Sequence, residues 1–137
     1  ADDSNETRAL FLLQQEGLIT LKEGAGLTAT PNDIVDNPKN LQFKELEAAM
    51  LPQTASEVDL SVINSNFAME GGMNPATDSL ASEDADSEAA QTFANIIAVK
   101  EGHENDPAIQ ALVKALQSDK VKEYIEKTYS GAVVAVF

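Results

Sequence analysis

Short strand-like runs at 19–21, 41–46, 60–63 and 93–99 alternate with segments whose ends carry helix-capping residues, and that alternation admits few folds. Short runs rich in β-branched and aliphatic residues read as strands, and the capped stretches between them read as helices. Strands alternating with helices make an α/β fold, with helices laid against a sheet. The first segment shows the pattern well. Asp3 is placed to cap a helix, and Glu6 three residues later completes a capping-box pattern. Leu10 and Leu13 lie on one face, Gly17 suits the left-handed position just past a helix end, and Leu18 then folds back on Leu13.

The same reading carries along the chain. A Gly24-Ala25-Gly26 turn follows the run at 19–21. Thr30-Pro31 opens a short helix with proline in its first position, closed by Pro38, and Pro52 opens another towards Val58. The β-branched run at 60–63 is predicted to be a buried strand that stops at Asn64-Ser65-Asn66, with helical turns beyond it to Gly71-Gly72. Between 74 and 91 the composition shifts to Asp, Ser, Ala and Glu with weak periodicity, which marks a crossover. After the strand at 93–99, Asp106-Pro107 opens a helix with Ile109, Leu112, Val113 and Leu116 at helical spacing. Ser118 opens a second one, with Val121, Tyr124, Ile125 and Thr128 on one side, and it ends at Gly131 before an apolar tail at 132–137.

Composition removes whole classes of function. Lys and Arg number 9 against 23 Asp and Glu, a formal charge of -14, which repels nucleic acid and anionic lipid. There is no cysteine, so thiol catalysis, cysteine-ligated zinc and iron–sulfur sites are excluded. No apolar run approaches the ~20 residues of a membrane span. The chain opens on Ala1 without a signal peptide or initiator Met and is read as a processed or truncated chain, with any targeting segment expected upstream.

Little catalytic chemistry is patterned. His103, the one histidine, falls in a surface loop, and no serine stands in a G-x-S-x-G setting. Gly24-x-Gly26 lacks the remaining glycine and the context of a dinucleotide site. The run 83–88 lacks the ligand spacing of a calcium loop and reads as a solvated acidic loop. What remains are polar groups at element ends. Arg8 lies near a helix start, where anions are favoured, although Asp2, Asp3 and Glu6 stand close enough to absorb its charge in a surface ion pair. Asn64 follows a strand at the edge where open α/β sheets bind ligands, and Asn95 sits inside an apolar strand where an amide needs partners. Each asparagine is equally readable as a satisfied structural amide.

The stretch Asp2-Asp3-Ser4-Asn5-Glu6-Thr7-Arg8-Ala9-Leu10 resembles the D-P-T-N-x-x-R-A-L motif of the methionine-binding lipoproteins, the NlpA-type family. The likeness continues through Gly17-Leu18-Ile19-Thr20-Leu21-Lys22, Asp33-Ile34-Val35-Asp36-Asn37-Pro38-Lys39-Asn40-Leu41 and Glu45-Leu46-Glu47-Ala48-Ala49. It takes in Val58-Asp59-Leu60-Ser61-Val62-Ile63-Asn64, Phe93-Ala94-Asn95 and Gln117-Ser118-Asp119 in collinear order. Asp3 departs from the family's proline, and Glu88 to Thr92 replace a shorter Pro-Tyr stretch.

The resemblance implies a periplasmic-binding-protein-like (type II) fold of two α/β lobes with an amino acid enclosed between them. Residues 1–80 would form a ligand-binding lobe lacking its first strand, and residues 81–137 the crossover and returning segment of the other lobe. The family's amino-terminal portion, with its lipid-bearing cysteine, would lie outside this sequence. Carried over by position, Arg8 holds the ligand carboxylate, while Asn64 and Asn95 hold its amino and carboxylate ends. The implied partners are methionine and an ABC permease and ATPase complex. The implied location is extracytoplasmic, on a lipid anchor, with no cofactor, metal or nucleic acid and no enzymatic activity. The fragment alone would dimerise or swap segments. Two rival readings stand beside this one: a surface interaction module of the same fold that no longer transports a ligand, and an unrecognised acidic enzyme.

Overall fold

Helix α1, Asp3–Gln15, begins one residue earlier than the capping pattern predicts. Asp2 is the capping residue because its backbone is extended, whereas Asp3 is already helical; the Asp2 carboxylate accepts from the Asn5 backbone N–H at 3.0 Å. The Glu6 side chain takes no part in the cap, and its Oε1 is buried without a hydrogen-bond partner among the described residues. The other end follows expectation. Gly17 adopts φ +68°, its N–H reaches Gln14 O at 2.9 Å, and Leu18 N–H reaches Leu13 O at 2.9 Å, the two bonds of a Schellman closure. The computed structural model describes residues 2–84 and 87–137. The chain divides into two compact units, Ala1–Glu83 and Asp84–Phe137.

In the first unit, β1, Thr20–Leu21, pairs antiparallel with β2, Ile34–Asp36, in the register Thr20 with Asp36 and Leu21 with Ile34. The predicted helix from Pro31 to Pro38 is therefore cut short: Pro31–Asp33 makes one 3-10 turn and the chain then extends. The turn is held by the Asp33 carboxylate, which accepts from Thr30 N–H at 2.8 Å and meets Lys22 Nζ at 2.6 Å. Both contacts keep the Asp33 carboxyl below its usual range, Lys22 contributing most. Beyond it, β-branched Ile34 and Val35 favour the extended backbone.

The core of this unit is aliphatic: Leu10, Ile19, Leu21 and Ala29 are buried, with Phe11, Leu13, Ala25, Ile34 and Leu41 packed around them. Thr7 is the one buried polar residue among those described, at 0% exposure. Its hydroxyl stands 2.8 Å from Asp3 O and 3.1 Å from both Leu27 O and Ala29 O, so one proton is shared among three carbonyls and ties the turn Gly26–Thr28 to α1. Thr7→Val keeps the shape but leaves buried carbonyls unpaired. It is expected to lower unfolding free energy by about 1–3 kcal/mol. Denaturant titration checks this, and an unchanged midpoint would show that the hydroxyl pins nothing.

Helix α2, Leu51–Thr54, is flanked by 3-10 turns at Ala48–Met50 and Ala55–Glu57, as the proline at 52 predicts. Helix α3, Ser65–Glu70, ends against it: a Cβ on Gly71 would stand 2.5 Å from the Cβ of Pro52, so no larger residue fits without movement. Helix α4, Pro75–Asp78, starts on an Asn74 cap that accepts from Ala76 N–H at 3.1 Å.

The second unit contains α5, Glu88–Thr92, α6, Pro107–Leu116, and α7, Asp119–Tyr129. Helices α6 and α7 begin where the sequence predicts, although Asp106 turns its carboxylate to His103 Nδ1 at 2.8 Å and Ser118 Oγ donates to Ala115 O at 2.7 Å instead of capping. The buried residues Thr7, Leu10, Ile19, Leu21, Ala29 and Ala68 all lie in the first unit.

Three strand expectations fail. The runs 41–46, 60–63 and 93–99 form no regular element, and Ile96 is 83% exposed. β-propensity describes a fit to a pleated, half-buried surface, and a ladder needs a second strand. Among the described residues only β1 and β2 supply one to each other.

Candidate ligand-binding site

Arg8 projects from the second turn of α1, half-buried. Its Nε donates to Glu83 Oε1 at 3.3 Å and its Nη2 to Glu83 Oε2 at 2.5 Å, with side-chain exposures of 32% and 21%. This is the two-point, planar pairing that guanidinium makes with carboxylate. The acids next to Arg8 in sequence were expected to absorb its charge, but the carboxylate that grips it in this way lies 75 residues away. Glu83 accordingly leaves the solvated acidic loop expected for 83–88, because a guanidinium partner holds it half-buried. The run's Ala85 and Asp86 lie outside the described residues.

Asn64 stands at the start of α3 with an extended backbone, and its side chain does not cap the helix. Its Nδ2 instead donates to Asn5 Oδ1 at 2.8 Å. Asn5 Nδ2 in turn donates to Asp2 Oδ2 at 2.7 Å. Positions 5 and 8 are neighbours on a helix surface, so Asn64 is brought to α1 within a turn of Arg8. The local electrostatics are uneven. Bonds from the Asn5 backbone N–H, the Asn5 amide and the Ser4 hydroxyl hold the Asp2 carboxyl well below the ordinary carboxylate range. Glu6 moves the other way, lifted by burial and by the nearby Glu45 charge.

Asn95 belongs to the second unit. It was expected inside an apolar strand, but it lies in the irregular stretch 94–100, exposed and without a side-chain hydrogen bond among the described residues. The demand for buried partners therefore does not arise. His103 is exposed beside Asp106, as a loop histidine should be. No cluster of His, Cys, Asp or Glu among the described residues suits a metal ion, and none of their helices is long and apolar enough to cross a membrane.

Two residues bonded to the candidate site residues escaped sequence reasoning. Asn5 carried a signal, an amide three residues past the helix cap in the stretch Asp2 to Arg8. Glu83 carried none, since nothing local marks one acid among 23 as a partner of Arg8.

Comparison with known proteins adds to this geometry. The D-methionine-binding lipoprotein MetQ of Salmonella typhimurium is 42% identical over 135 residues, covering 97% of this chain and 48% of that protein. A nutrient binding protein from Burkholderia cenocepacia, solved bound to methionine, is 47% identical with a TM-score of 0.87, over 99% of this chain and 56% of that one. A periplasmic substrate-binding protein of an ABC transporter from Coxiella burnetii is 41% identical with a TM-score of 0.86, over 98% and 55%. The chain spans about half the length of the curated relatives it matches. Its fold class is α/β, of the type II periplasmic-binding-like kind these substrate-binding proteins share. The profile of the NlpA lipoproteins matches residues 1–137 throughout, and the chain belongs to that family.

Proposed function

We propose that this chain is the ligand-gripping part of an extracytoplasmic, lipid-anchored binding protein that captures methionine and hands it to an ABC permease and ATPase complex, without catalysing a reaction. Residues 1–80 act as the ligand-binding lobe and 81–137 as the crossover and returning segment of the other lobe. Arg8 takes the ligand carboxylate, and Asn64 and Asn95 take its amino and carboxylate ends. The observation that carries this reading is the meeting of half-buried Arg8 on α1 with the Asn64 amide, which bonds to Asn5 of the same helix, in a chain 47% identical to a protein solved with methionine. Guanidinium matches a carboxylate in two-point geometry, and an amide oxygen accepts from an ammonium without adding net charge.

Calorimetry with a panel of amino acids on the full-length protein that carries this chain tests the proposal. Heat with methionine supports it, and silence with every amino acid supports the interaction module instead. Leucine in place of Asn64 or Asn95 keeps bulk and removes hydrogen bonding. Each replacement is expected to weaken methionine binding roughly 10- to 150-fold, the loss of one bond to a charged group. Exposed Asn95→Leu should leave the Tm unchanged, while Asn64→Leu lowers it slightly by stranding Asn5. Parental affinity in the folded variants would remove both residues from the site.

A further inference from the structure

Asn64 is the last member of a hydrogen-bonded line that begins at a carboxylate, and the line has a direction. Asp2 is ionised, its carboxyl held far below neutrality, and a carboxylate only accepts. Asn5 must therefore turn its NH2 towards Asp2 Oδ2, at 2.7 Å, and its Oδ1 away. Oδ1 of Asn5 also only accepts, so Asn64 must turn its NH2 towards it, at 2.8 Å. Asn64 Oδ1 is left on the far side, and it accepts no hydrogen bond among the described residues. Reversing the Asn64 amide would set oxygen against oxygen at Asn5. Reversing Asn5 as well would set oxygen against the Asp2 carboxylate. One charge thus fixes the orientation of two amides.

We propose that Asp2 and Asn5 are positioning residues that fix Asn64 with its carbonyl oxygen presented, so that the site selects a ligand bearing a primary ammonium. This rests on the reading of Asn64 as a ligand group. An ammonium is a pure donor, so an amide free to rotate would present N–H to N–H for part of the time, and the line removes that orientation. Asp2 also caps α1, which anchors the origin of the line to the helix it serves.

The test is the ratio of dissociation constants for the des-amino analogue of methionine and for methionine itself, measured by calorimetry on the full-length protein. The analogue keeps the carboxylate and thioether and lacks the ammonium. Asn64→Leu and Asn5→Leu are each expected to lower this ratio about tenfold or more, the worth of a bond to a charged group. The double variant should lower it no further than Asn64→Leu alone, because Asn5 acts only through Asn64. A merely structural Asn5 would weaken both ligands alike and leave the ratio standing. Asp2→Asn carries the test should Asn5→Leu fail to fold, since asparagine caps a helix as well as aspartate does. It is expected to lower the ratio several-fold. A collapsed ratio in Asn64→Leu with a parental ratio in both Asn5→Leu and Asp2→Asn overturns the positioning role and leaves the site reading intact. A parental ratio in Asn64→Leu overturns the site reading itself.

Discussion

Arg8→Ala is expected to all but abolish methionine binding in the full-length protein. Removing one partner from a buried charge pair costs ~2–5 kcal/mol, or roughly 30- to several-thousand-fold in affinity. Arg8→Lys should recover only part of it, because a point-charge ammonium cannot make the planar two-point grip. The variant also strands the Glu83 carboxylate, which the guanidinium holds through Nε and Nη2, so some loss of Tm is expected with it. Adding Glu83→Gln separates the two effects: the double variant should regain Tm and remain unable to bind. Calorimetry beside thermal unfolding reads both, and an Arg8→Ala protein with parental affinity would sink the assignment of the carboxylate site.

Residues 1–137 prepared as a separate chain are expected to associate with one another or stay partly molten, and to bind methionine far more weakly than the full-length protein. The reason is visible in the second unit. No residue from 90 to 137 is buried, while Ile96, Ile97, Leu112, Leu116, Tyr124 and Val134 are exposed. Apolar surface of this extent seeks cover, and among the described residues the irregular apolar stretches 94–99 and 133–137 make no backbone hydrogen bond. The charge of -14 opposes association without covering those side chains. Adding in trans the amino-terminal segment that the resemblance assigns to the family should give a compact complex and restore tight binding. Light scattering shows the mass and calorimetry the grip. A compact monomer that binds methionine tightly alone would overturn this expectation.

Helix ends proved readable because they are local. The Gly17 closure, the Thr30-Pro31 turn, the prolines at 52 and 107 and the start at Ser118 all depend on residues a few positions apart. Of the strands only 19–21 proved readable, since a strand exists only with its neighbour: 60–63 has the composition and no ladder, whereas 34–36, inside a predicted helix, pairs with Thr20–Leu21. The site divides along the same line. Arg8 and Asn64 were recognisable by type, position and resemblance. Their partners were not, because the bonds to Glu83 and Asn5 close loops of 75 and 59 residues.

Asp2, Asn5, Thr7 and Arg8 do four different jobs from one stretch of helix, and each depends on the angle at which it leaves the axis. A single residue inserted or lost between positions 3 and 8 would turn everything beyond it by about 100°. Asn5 would then leave its line, Thr7 would swing out of the core, or Arg8 would face elsewhere, depending on where the change fell. Drift in this lineage can therefore proceed by exchange of side chains at α1 but hardly by change of length.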